Sequence, residues 1–76
     1  MTLSSEEITK HYTNAGDSVT LINSLVAQSS RSTEDNETIA RNVRHLEVMV
    51  AKDFWTSENL EPFRTAITAG KAALPS

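Results

Sequence analysis

The stretch Ile39–Val50, IARNVRHLEVMV, decides the fold of this chain. Apolar residues recur along it in steps of 4, 3 and 4, at Ile39, Val43, Leu46 and Val50. That spacing places these side chains on one face of an α-helix, and Met49 and Phe54 extend the same face. Ser32 or Thr33 precedes acidic residues and can cap the helix N-terminus. The sequence therefore predicts a helix from about Glu34 to Asp53.

A second apolar face lies upstream, with steps of 4, 3, 4, 3 and 4 at Ile8, Tyr12, Ala15, Val19, Ile22 and Val26. Leu21 and Leu25 widen it. Ser4 and Glu7 have the spacing of a capping box, which predicts a helix from about Ser5 to Ala27. Gly16 lies inside this helix and costs about 1 kcal/mol relative to Ala. The sequence leaves open whether the helix is continuous or kinked there.

A third helix is expected after the acidic segment TSENLE. Thr56 or Ser57 can cap its first turn. Pro62 is tolerated only near a helix start, so the helix begins between Ser57 and Glu61. Gly70 is expected to end it as a left-handed cap.

These patterns predict an all-α fold for a single domain spanning residues 1–76. Two long helices would pack as an antiparallel hairpin, and the short third helix would complete a small three-helix bundle. The chain has 76 residues and no Cys, so neither a disulfide nor a thiolate metal site can support this small core. A protein partner or a homo-oligomer therefore becomes a plausible source of stability.

The composition argues against several classes of function. A net charge of -3 lacks the basic excess typical of nucleic-acid-binding domains. No apolar run approaches the ~20 residues that a membrane span requires. The first residues, MTLSSEEITKHY, contain no apolar signal-peptide core, so secretion by a signal peptide is not expected.

No motif predicts a catalytic, cofactor or metal site, and we expect the protein not to be an enzyme. The block GDSV, Gly16 to Val19, is similar to an esterase nucleophile motif, but it lies within a predicted helix instead of after a strand. His11 and His45 have no metal-ligand spacing between them, so we expect them on the surface or at its boundary.

The aromatic residues suggest a contact surface. Phe54 and Phe63 are expected to close the end of the core at the corner between the second and third helices. Trp55 lies off the apolar face and could pack on the third helix or contact a partner, because Trp is enriched among residues that dominate interfaces. The predicted partner-binding residues are Trp55, Phe54, Leu21 and Leu25.

An alternative function is a small regulator that binds nucleic acid as an oligomer. Arg41, Arg44 and Lys52 would supply the positive charge. Glutamates are interleaved with them at positions 34, 37 and 47, which is typical of a solvated helix face.

The run from Ile39 to Leu74 resembles the C-terminal half of short helical proteins encoded by tailed bacteriophages and prophages. The matching residues are His45, Leu46, Glu47, Met49, Ala51 to Thr56, Leu60, Pro62, Phe63, Ala66, Ile67, Ala69, Gly70 and Lys71. Such proteins are of unassigned function, so the resemblance implies no catalytic residue. Together with the absence of a catalytic motif, it favours a non-enzymatic protein–protein interaction protein, a phage or prophage accessory or assembly factor that acts through an apolar helix face and the Phe54–Trp55 corner. Its expected location is the host cytoplasm or the virion.

Overall fold

The predicted all-α class is confirmed by a computed structural model that describes residues 3–75. It contains three helices, α1 (Ser5–Val26), α2 (Thr33–Val50) and α3 (Glu61–Ala73). Each helix packs against both of the others in an elongated bundle of 42 × 19 × 18 Å. Tyr12 of α1 contacts Phe63 near one end, whereas Ile22 of α1 lies close to Gly70 towards the other. Hence α1 and α3 run parallel.

The first two helices begin with reciprocal caps. The Ser4 hydroxyl accepts from the Glu7 backbone N–H at 3.2 Å, and the Glu7 carboxylate accepts from the Ser4 N–H at 3.0 Å. These hydrogen bonds, led by the one from the Ser4 backbone, lower the pKa of Glu7. Ser32 and Asp35 repeat the arrangement at the start of α2, which makes Ser32 the cap instead of Thr33. Local sequence fixed these starts because each cap needs only residues three apart.

The corner between α2 and α3 differs from the prediction. Helix α2 ends at Val50, not at Asp53, and the Met49 carbonyl accepts from the Lys52 N–H of the following turn at 3.1 Å. The expected caps at Thr56 and Ser57 are wrong, because α3 begins at Glu61 with Leu60 at the cap position and no side-chain cap. Pro62 lies in the first turn of α3, as predicted.

The core combines the two predicted apolar faces with the inner face of α3. Its buried residues are Ala15, Ile22, Leu25, Ile39, Val43, Leu46, Phe63 and Ala66. Four of the largest side chains, Phe63, Ile22, Ile39 and Leu46, are almost fully buried. Burial of such side chains contributes about 1.5–3 kcal/mol each, which compensates for the poor helix propensity of the Ser-, Thr- and Asn-rich α1.

Gly70 does not end α3, so its predicted role as a left-handed cap is wrong. It is buried in the helix interior with no positive φ, and α3 continues to Ala73. A Cβ atom at this position would lie 2.5 Å from Val43 Cγ2 and 3.3 Å from Ile39 Cγ2. Glycine is required here because the α3 backbone approaches α2 this closely. Gly16 has no such neighbour, and α1 runs through it without interruption.

Gly70→Ala and Gly16→Ala are expected to have opposite effects on stability. At position 70, overpacking against Val43 should lower the free energy of unfolding by about 1–2 kcal/mol despite the better helix propensity of Ala. At position 16, the added methyl meets open space and should raise it by about 0.5–1 kcal/mol. Urea denaturation of both variants measures the difference. Equal effects at the two sites would contradict the close approach at Gly70.

Arg31 joins the three helices at the end of the bundle opposite Phe63. Its Nη2 donates to the Ala73 carbonyl at 2.9 Å, and its Nη1 donates to the Gln28 carbonyl at 3.2 Å and the Val26 carbonyl at 3.4 Å. Its Nε donates to Asn36 Oδ1 at 3.3 Å. The guanidinium therefore satisfies carbonyl groups at the C-terminal ends of α1 and α3 and reaches the first turn of α2.

Arg31→Met should destabilise the fold by about 1–3 kcal/mol, because it leaves the terminal carbonyl groups without their charged donor. Arg64→Met is the matched control, since Arg64 makes an exposed ion pair with Glu61 that is worth less than about 1 kcal/mol. Thermal denaturation should show the larger fall in Tm for Arg31→Met. A fall no larger than that of the control would refute the role of Arg31.

Candidate functional site

Five rings meet where the loop 51–60 crosses the bundle, and we call this group the aromatic corner: His11, Tyr12, Phe54, Trp55 and Phe63. Tyr12 lies 5.0 Å from Phe63 and 6.1 Å from Trp55 between ring centroids. Phe63 is buried, whereas Phe54 and Trp55 are half-buried. The prediction of a cluster between α2 and α3 missed the contribution of α1. Tyr12 was on the predicted apolar face, but only the packing shows which ring it meets.

Two polar atoms of the aromatic corner fix the loop. Trp55 Nε1 donates to the Met49 carbonyl at 2.8 Å, a second hydrogen bond to a carbonyl that also accepts from the Lys52 N–H at 3.1 Å. Tyr12 Oη donates to the Asn59 carbonyl at 2.7 Å, and Asn59 Oδ1 accepts from the Glu61 N–H at 3.1 Å. Trp55 therefore folds back onto the bundle. A loop without regular secondary structure is tied to both α1 and α2.

The loop also has an internal hydrogen-bonded turn. The Glu58 carboxylate accepts from the Thr56 backbone N–H at 2.8 Å and from the Thr56 hydroxyl at 3.1 Å. The backbone hydrogen bond is the largest cause that lowers the pKa of Glu58. Neither Thr56 nor Glu58 belongs to the core, so this turn orders the loop locally.

Phe54 is the aromatic residue that the core does not take up. Phe63 lies in the core as predicted, but Phe54 is absent from the residues packed against it. The reason is that α2 ends at Val50, so Phe54 does not continue the apolar face of that helix. Its ring instead stacks on exposed His11, with centroids 5.1 Å apart, and lies 4.8 Å from Trp55.

The four predicted partner-binding residues do not form one surface. Phe54 and Trp55 lie together in the loop. Leu21 is 41% exposed on α1, about 13 Å along the helix axis from Tyr12 at a rise of 1.5 Å per residue. Leu25 is only 9% exposed and belongs to the core, so a partner of the folded chain cannot cover it.

Val48 is a further exposed apolar residue, outside the four predicted partner-binding residues. It is 51% exposed on α2. Its place two residues after buried Leu46 puts it on the opposite side of the helix, so the periodicity that located the core could also have located Val48.

The other candidate chemistries gain no support within residues 3–75. Ser18 of the esterase-like block is buried in the middle of α1. No group of three or more His, Cys, Asp or Glu residues in this part of the chain could hold a metal ion. A depression along the outer side of α3 is lined by Glu61, Arg64, Thr65, Thr68, Ala69 and Ala72. All of them belong to one helix, so the depression is an open surface.

No described helix is both long and apolar enough to cross a membrane. No protein-family model, curated protein or solved structure matches the chain.

Trp55→Phe tests whether the indole N–H holds the loop. Phe keeps an aromatic ring but cannot donate to the Met49 carbonyl, which retains the Lys52 N–H, so we expect a loss of about 0.5–1.5 kcal/mol in the free energy of unfolding. Val48→Ala is the control and should change it by less than about 0.5 kcal/mol, because Val48 is exposed. Urea denaturation measures both, and a Trp55→Phe variant as stable as the wild type would show that the hydrogen bond contributes nothing.

Proposed function

We propose that this chain is a non-enzymatic protein–protein interaction protein whose contact site is the aromatic corner, with Phe54 as the central side chain. The observation that carries the proposal is the position of Phe54. A large aromatic ring is held in a loop, outside the core, between His11 and Trp55. The fold needs Phe63 and Trp55 for its own packing, but it has no comparable use for Phe54.

The rigidity of the loop supports this choice of site. Binding pays an entropic cost of about 0.5–1.5 kcal/mol for each mobile side chain that it immobilises. The hydrogen bonds of Trp55 and Tyr12 already restrict the loop in the free protein. A partner that covers Phe54 therefore meets a largely prearranged aromatic surface, and aromatic residues are enriched at the centres of interfaces.

The partner is another protein or a second copy of the chain. The resemblance of the run from Ile39 to Leu74 to phage-encoded proteins supports a role as a phage or prophage accessory or assembly factor. Leu21 would add an apolar contact elsewhere on α1, because it is exposed. Leu25→Asp is not a suitable test of binding, since a charge in the core would unfold the chain.

Photo-crosslinking can test the aromatic corner directly. A benzophenone-bearing phenylalanine analogue replaces Phe54 in one variant and exposed Ser30, in the connection between α1 and α2, in the control. Both are irradiated as purified protein and in cells that naturally produce the chain. We expect a discrete crosslinked product from position 54, either a dimer or a heterologous protein, and none from position 30.

Two controls make the result decisive. Unlabelled wild-type chain should compete for the crosslink, whereas the Phe54→Ser variant should compete at least several-fold less well. Circular dichroism should show that Phe54→Ser is still folded, because Phe54 lies outside the core. Equal crosslinking from positions 54 and 30, or no crosslink from position 54 in either setting, would overturn the proposal.

A further inference from the structure

We propose that the outer side of α2 binds an acidic segment of a partner protein. The surface concerned, which we call the basic face, consists of Arg41, Arg44, His45, Val48 and Lys52, all of which are exposed. The first four lie in successive turns of α2 on the side opposite the core residues Val43 and Leu46, and Lys52 follows the end of the helix. The proposal does not depend on the aromatic corner.

The positive charges of the basic face are not used by the fold. The chain has seven Lys and Arg residues. Arg31 bonds the helix ends, and Arg64 and Lys71 form ion pairs with Glu61 and Glu47. Within residues 3–75, Arg44 and Lys52 have no side-chain partner, and Arg41 donates only to the Thr38 hydroxyl. Apart from Lys10 on α1, the basic face thus holds every Lys or Arg that is neither ion-paired nor bonded to helix ends.

Carboxylates border the basic face: exposed Glu34 and Glu37 precede Arg41 on the same side of the helix, and exposed Asp53 follows Lys52. Between Ala40 and Lys52 the only acidic residue is Glu47, and its carboxylate is bonded to Lys71 of α3 at 2.6 Å. Glu37 lies one turn before Arg41 but forms no ion pair with it, contrary to the spacing that favours such a pair. The positive charge is therefore confined to the segment from Arg41 to Lys52, between these bordering carboxylates, in a chain with a net charge of -3.

The chemistry of the basic face fits an acidic peptide better than a nucleic acid. From Arg41 to Lys52 it spans about 16 Å, at 1.5 Å per residue, with Val48 in its middle. Three cations are fewer than the roughly 6–10 phosphate contacts of typical DNA-binding proteins. The guanidinium groups of Arg41 and Arg44 can pair with carboxylates through two parallel hydrogen bonds, and Val48 can contact an apolar side chain between those carboxylates.

NMR titration of the isotope-labelled chain tests this inference. The probe is a synthetic amphipathic peptide with glutamate and leucine on one face, added at low salt. The control peptide has glutamine in place of each glutamate. We expect shifts of the backbone amides of Arg44 and Val48 with the acidic peptide only, and weaker binding as the salt concentration rises. Arg44→Gln should weaken binding by roughly threefold to tenfold.

Lys10→Gln is the matched control, since it removes the same charge from α1, outside the basic face, and should leave the affinity nearly unchanged. An equal loss for Lys10→Gln and Arg44→Gln would mean that only net charge matters and would overturn the proposal. So would tighter binding of a DNA duplex than of the acidic peptide, or no binding at low salt. Phe54→Ser should bind the peptide normally, which separates this test from that of the aromatic corner.

Discussion

The bundle depends on how closely the backbone of α3 approaches α2 at Gly70. A methyl group there would overlap the side chain of Val43, so only glycine allows α3 to lie against Ile39 and Ile22 at this distance. The apolar faces of α1 and α2 bring these residues together, but two helices alone leave part of each apolar face exposed to water. Helix α3 covers that side, and its short length suffices because Phe63, Ala66 and Gly70 all point inward.

The elements that sequence predicts well are those set by short spacings. The apolar faces of α1 and α2 repeat with the helix period, so both helices and their core residues followed from the sequence. The Ser4–Glu7 cap was equally accessible because its residues are three apart, whereas the sequence narrowed the cap of α2 only to Ser32 or Thr33. The end of α2 was predicted three residues too late, because the apolar pattern continues to Phe54 although the helix ends at Val50 and a turn begins at Ala51. Gly70 was misinterpreted because helix-ending glycine and close-packed glycine look the same without a partner helix.

The candidate site was only partly accessible from the sequence for the same reason. Phe54 and Trp55 stood out because aromatic residues are rare in this chain. Their different roles depend on two contacts that the sequence does not show: Trp55 donates to the Met49 carbonyl, and Phe54 stacks on His11. Arg31 lies in the polar segment between α1 and α2, yet it bonds the carbonyl of Ala73, which is 42 positions away in the chain. Contacts of this range carry no periodic signal, so only the fold reveals them.

The two ends of the bundle are closed by different chemistry, and this bears on function. At one end Arg31 closes the bundle through hydrogen bonds to backbone carbonyl groups. At the other end, contacts between aromatic rings hold a loop of irregular backbone. Trp55 and Tyr12 pack against the core and also donate hydrogen bonds to backbone carbonyl groups. Phe54 has no polar atom that could form such a hydrogen bond, so its half-buried ring is held by contact with His11 and Trp55.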